Sequence, residues 1–161
     1  MSKKDFVKPY DEVFFVYSVL KRLNSGNMDS FNGRFKSQKV QYLAQVFGIV
    51  PFYPYNLYIH GPYAPTLAND LYLISAKDIT PNKEKFLPEE LEIKFDKLKK
   101  IIEDLDNRKL ELVATLHWLI FKANYPIAQS IERLKELKSA SADELSVSKK
   151  LLKQLCQNLK N

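Results

Sequence analysis

Leu110-Glu-Leu-Val-Ala-Thr-Leu-His117-Trp-Leu-Ile-Phe121 is apolar nearly all round, interrupted by Glu111, Thr115 and His117. A helix with that pattern has no face to give to water, so the chain around it must supply the helices that enclose it. On its C-terminal side, Tyr125-Pro126 breaks the chain. Ile127, Ile131, Leu134 and Leu137 then stripe one helix, and Ser141 or Ala142 opens a last one bearing Leu145, Leu151, Leu152, Leu155 and Leu159. On its N-terminal side, Pro88-Glu89-Glu90 is a helix start with acidic residues at the positive end of the dipole. Leu91, Phe95, Leu98, Ile102 and Leu105 keep one face to about Asp106, which predicts the longest helix of the chain there.

The first half is built differently. Val13, Phe14, Tyr17, Leu20 and Leu23 give a first helix over Tyr10 to Leu23, stopped by Asn24, Ser25, Gly26 and Asn27. Ser37 is the expected N-cap of a second helix, striped by Val40, Leu43, Ala44 and Phe47 and closed by Gly48, with Gln38, Lys39, Gln41 and Gln45 mainly off the stripe. From Val50 to Pro65, four prolines and four tyrosines argue against a helix. Tyr55, Leu57 and Ile59 alternate with Asn56, Tyr58 and His60 as in a short strand, and Gly61-Pro62 is read as the turn after it. Pro65 begins a third helix carrying Leu67, Ala68, Leu71, Tyr72 and Ile74. The expected fold is mainly α, a compact domain of about six helices with a small β element before the Gly-Pro-Tyr turn. It forms one domain over 1–161, with an aromatic-rich half at 1–76 and a leucine-rich helical half at 88–161.

Composition narrows the chemistry. Among 161 residues there is one cysteine, Cys156, so no intrachain disulfide is expected, and two distant histidines without a partner cysteine make a metal site improbable. Glycines at 26, 33, 48 and 61 fit no phosphate-binding loop, and no cofactor is expected. Cys156 among leucines reads as a packed or surface thiol, and His117 as a satisfied core histidine. The segment from Met1 to Phe6 lacks a signal peptide's apolar core, and no run approaches the ~20 apolar residues of a span, so a cytoplasmic protein without a membrane partner is expected.

Two surfaces remain as candidates. Tyr53, Tyr55, Tyr58, His60 and Tyr63 form an aromatic cluster suited to a protein partner, and Asp70 lies near enough in sequence to consider a His60/Asp70 pair. The net charge of +6 permits nucleic acid as an alternative partner, through Arg34, Lys36 and Lys39 before and at the start of the second helix, or Lys149, Lys150 and Lys153 on the last. The excess is mild, 8 Lys/Arg against 4 Asp/Glu over residues 1–50 and 16 against 13 over 81–161. A winged helix would add a wing after its recognition helix, whereas this chain stops at Asn161. A homo-oligomer is compatible with either surface.

Lys36-Ser-Gln-Lys39-Val-Gln-Tyr42-Leu-Ala-Gln45 and Tyr58-Ile-His-Gly61-Pro62-Tyr63-Ala-Pro65 resemble the two signatures of the Panacea, or SocA-like, antitoxin-associated domain and the YwgA-like proteins related to it. Leu67, Asp70 and Leu71 match the helix that follows in those families, so the resemblance covers Arg34 to Ile74, with Leu110 to Leu119 a weaker echo. It implies a compact helical domain with a small sheet component. It also implies association with another protein, a toxin in many members, and it does not imply an enzyme. Without the family, Gly61, Pro62 and Tyr63 already read as a fold signature: a tight backbone, a fixed dihedral and a ring returned to the core.

Overall fold

The computed structural model describes residues 5–82 and 84–159. In chain order the elements are α1 (Tyr10–Arg22), α2 (Phe31–Val46), β1 (Asn56–Tyr58), β2 (Gly61–Tyr63), α3 (Pro65–Ser75), α4 (Glu89–Ile102), α5 (Asn107–Phe121), α6 (Ile127–Lys138) and α7 (Ala142–Leu159). The protein is mainly helical, and α5 sits at its centre, packed against α2, α6, α7 and β2. Asp106 caps α5 by accepting from the Lys109 N–H at 2.8 Å. Ser141 and Glu144 cap α7 reciprocally, each side chain accepting from the other's backbone N–H at 3.1 Å.

One cluster of buried apolar residues runs from Val13 and Leu20 through Tyr42, Tyr53 and Leu71 to Phe95, Val113 and Leu155, so both halves of the sequence share it. A smaller cluster, with Leu112, Leu116, Leu119, Leu134 and Ala140, joins α5 to α6. The connection after α3 is part of the first cluster: Leu87 is buried, Phe86 meets Phe15 edge to face, and the Asn82 N–H donates to Ser18 Oγ at 3.0 Å.

The structure corrects three boundaries and one helix length. The second helix begins at Phe31, capped by Ser30, whose Oγ accepts from the Gly33 N–H at 3.0 Å. Ser37 therefore lies within the helix, where its hydroxyl donates to Gly33 O and accepts from the Gly26 N–H. Arg34 and Lys36 are residues of α2, not of a preceding loop. The helix at Glu89 ends at Ile102, and α7, with 18 residues, is the longest among the described residues. The chain reverses at Ile59-His60, so Gly61-Pro62-Tyr63 is the second strand of an antiparallel hairpin, with Tyr58 opposite Gly61 and Asn56 opposite Tyr63.

Candidate functional site

Residues 50–64 have few chances to satisfy their own backbone, because the hairpin has three-residue strands and prolines remove donors. Helix α2 completes the missing bonds. Gln38 holds residue 64 at both ends, its amide donating to Ala64 O at 3.0 Å while its oxygen accepts from the Ala64 N–H at 2.9 Å. Gln45 holds Tyr53 in the same way, at 3.1 and 2.9 Å. Gln41 donates to Pro51 O, Lys39 Nζ donates to Pro62 O at 2.9 Å, and the Tyr55 hydroxyl donates back to Gln38 O. Gln38, Lys39 and Gln41 are thus buried, which corrects the expectation that they lie off the packed face.

The hairpin is fastened from its other side as well. Lys138 on α6 donates to Ile59 O at 2.6 Å and pairs with Glu111 of α5, also at 2.6 Å, with both side chains largely shielded. Gly61 then lies so close to α5 that a Cβ there would stand 2.8 Å from Thr115 Oγ1. What this framework presents to solvent is the tip: Ile59 is 85% exposed and Tyr58 49%, beside Phe31 at 56%. His60 meets Phe31 and Phe35 edge to face, with centroids 5.5 and 5.9 Å away. Tyr58 meets Tyr63 at 5.4 Å. Behind the tip is a cavity of about 170 Å³ whose wall includes Phe31, Arg34, Phe35, Lys39, His60 and Tyr63.

The five residues of the aromatic cluster therefore divide. Tyr58, His60 and Tyr63 come together on this face. Tyr53 and Tyr55 are buried and belong to the core, a correction with a clear cause: the Tyr53 hydroxyl donates to Asp70 Oδ2 at 2.8 Å, and Tyr55 packs on Tyr42. Burial pushes both phenols well above their ordinary range. Asp70 does not join His60. Its buried carboxylate accepts from the backbone N–H groups of Val7 and Lys8 and from Tyr53, tying the start of the chain to α3.

The basic residues divide too. Lys39 is 1% exposed, its ammonium 4.7 Å from the Phe35 ring centre, so it offers nothing to a phosphate backbone and leaves the nucleic-acid set. Arg34 is exposed and donates to Met28 O, and Lys36 is half-buried on the same helix. Lys149, Lys150 and Lys153 are exposed on α7, where Lys149 and Lys153 border an apolar groove with Phe121, Ile127 and Leu152. Ile59 and Phe31 were not singled out in the sequence. The available signal was Ile59 itself, a branched apolar residue directly before His-Gly, at the apex of a two-residue hairpin turn.

A second cavity, about 510 Å³, opens between α2, α5 and α7, with Tyr42, Phe52, His117, Phe121 and Cys156 in its wall. His117 Nδ1 lies 2.6 Å from the Tyr42 hydroxyl. Burial lowers the imidazole to about 4 and raises the phenol, so both groups stay neutral and share one hydrogen bond. The sign of the stability effect follows. Because the folded chain holds this imidazole neutral, an unfolded chain protonates first as pH falls; the contribution is fully present above the ordinary 6.5 and is lost toward pH 4. Urea unfolding midpoints should decline from pH 7 through the upper part of that window, above the usual glutamate range of about 4.3. In His117→Gln, this upper decline should flatten.

Compared with models of known protein families, with curated proteins and with solved structures, the chain matches none. Among the described residues no group of histidine, cysteine, aspartate and glutamate is arranged to hold a metal ion, and no helix is long and apolar enough to cross a membrane.

Proposed function

We propose that this chain is a non-enzymatic protein-interaction domain, antitoxin-like or adaptor-like, whose partner seats on the hairpin tip and the adjoining end of α2. One observation carries the reading: a strongly exposed Ile59 stands at the apex of a hairpin whose backbone is held by Lys39, Lys138 and Gln38. Exposed apolar side chains grouped together, here Ile59 with Tyr58 and Phe31, mark an interaction site, and a rigid loop loses little entropy when bound. Tyr58, Phe31 and Arg34 around it are the residue types that anchor protein interfaces. The resemblance to the antitoxin-associated group supports a protein, a toxin among the choices, as the partner.

A stoichiometric, nuclease-resistant partner is expected when the tagged chain is used for capture from its source lysate. Calorimetry with that partner should show Tyr58→Ala/Ile59→Ala weakening binding about tenfold or more, roughly 1.4 kcal/mol, with the fold retained and the melting temperature lowered only by the lost Tyr58–Tyr63 contact, because Ile59 is exposed and Tyr58 half-exposed. Unchanged affinity in that variant would remove this face from the interface. The second reading, a small DNA-binding regulator of helix-turn-helix or winged-helix type, now rests on Arg34 and Lys36 or on Lys149, Lys150 and Lys153. Salt-dependent duplex binding lost on neutralising either set would put it first.

A further inference from the structure

We propose that the cavity between α2 and the hairpin binds a carboxylate carried on an aromatic or short aliphatic group. Its wall is mostly apolar, with the rings of Phe31, Phe35 and Tyr63 beside Met28, Ala68 and Leu71, and into it are set the polar side chains of Arg34, Lys39 and His60; among the described residues no aspartate or glutamate lines it. A volume of about 170 Å³ corresponds to roughly six waters at ~30 Å³ each, enough for one ring with a short acidic arm.

The independent pointer is Lys39. An ammonium has three N–H donors, and here the side chain is buried with, among the described residues, a single hydrogen bond, to Pro62 O. Glu111, the carboxylate that acts on it, is ion-paired with Lys138, so the two lysines share one negative charge. Burial accordingly holds the Lys39 ammonium down to about 8, with Glu111 opposing and Lys138 reinforcing that shift. An anion in the cavity supplies the compensation that the fold omits. Arg34, with four further N–H donors beyond its bond to Met28 O, provides the planar fork that matches a carboxylate at the cavity's exposed side.

The inference deepens the partner-binding reading and rests on it for the source: the carboxylate is an acidic side chain or chain terminus of the partner. A free small acid carries the same chemistry, and the test separates the two. The full chain, isotopically labelled, is titrated with 3-phenylpropanoate, with its neutral amide, and with a tetrapeptide ending in phenylalanine as free acid or amide. NMR signals of His60 and Tyr63 report the cavity.

Saturable shifts with both acids are expected, with the amides weaker by about tenfold or more, the scale of a charge-assisted hydrogen bond. Arg34→Gln, an exposed replacement that leaves the core intact, should remove most of that preference for acid over amide. Tighter binding of the peptide acid assigns the site to a partner chain; tighter binding of the free acid assigns it to a small molecule. Equal binding of acid and amide, or no saturable shift with either acid, overturns the carboxylate site. No partner enters these titrations, so they can fail while Tyr58→Ala/Ile59→Ala still weakens partner binding, and the reverse.

Discussion

Replacing Glu92 with alanine is expected to lower the free energy of unfolding by about 3–5 kcal/mol, the cost of leaving a buried charge without its partner. Arg22 on α1 and Glu92 on α4 meet through two parallel bonds, Nη1 to Oε1 and Nη2 to Oε2, each 2.8 Å, with their side chains 8% and 11% exposed. The carboxylate also accepts from the Leu87 N–H at 3.1 Å, and the guanidinium lies 4.0 Å from the Phe95 ring centre. These bonds, the one from Arg22 foremost, hold the Glu92 carboxyl below its ordinary range. Arginine cannot shed its proton to escape, so Glu92→Ala strands a cation against two aromatic rings and orphans a buried N–H. Urea denaturation measures the loss. Arg22→Leu/Glu92→Leu should recover much of it, since removing both charges leaves no unpaired ion. A single-variant loss below about 1 kcal/mol would mean that water reaches the pair and that it behaves as a surface ion pair.

That pair shows why the fold was only partly legible in the sequence. The stripes of α1, α3, α6 and α7 and the all-round apolar pattern of α5 are local, period-3.6 signals, and each element lies where its pattern put it. Helix α4 ends earlier than its stripe, at Ile102, and helix α2 departs further, because its buried polar residues do not register as core. Gln38, Lys39 and Gln41 look like a solvated face until their partners are known, and those partners are backbone atoms of Pro51, Pro62 and Ala64, 10 to 26 positions away. The same long-range bonding decided which tyrosines became core. Tyr53 and Tyr58 are equivalent in composition, but one hydroxyl meets a buried aspartate and the other ring sits at a hairpin tip. Periodicity also misplaced the turn: alternation through Ile59 suggested a continuous strand, whereas the left-handed φ of +92° at Gly61 belongs to the start of the returning one.

Gly61→Ala is therefore expected to reach both stability and binding without altering any residue of the partner face. Two costs add. The +92° φ disfavours an L side chain by about 1–2 kcal/mol, and forcing a methyl into a packed site costs about 1–3 kcal/mol more. The steric part has a named origin, Thr115 Oγ1 at 2.8 Å, on the buried and most enclosed helix of the protein, which has little freedom to retreat. That hydroxyl has no hydrogen-bond partner among the described residues, so Thr115→Ala sacrifices no bond. In Gly61→Ala/Thr115→Ala the steric share should return while the backbone share persists, leaving a loss of about 1–2 kcal/mol on urea denaturation. If the hairpin lifts from α5 to admit the methyl, Lys39 loses Pro62 O and Lys138 loses Ile59 O, the two bonds that fix Ile59 in space. Partner affinity should then fall in Gly61→Ala and recover in the double variant, although Tyr58, Ile59 and His60 are intact in both. Full affinity in a destabilised Gly61→Ala would instead mean that the partner reads the tip as a flexible peptide, and that the clamps from α2 and α6 serve stability alone.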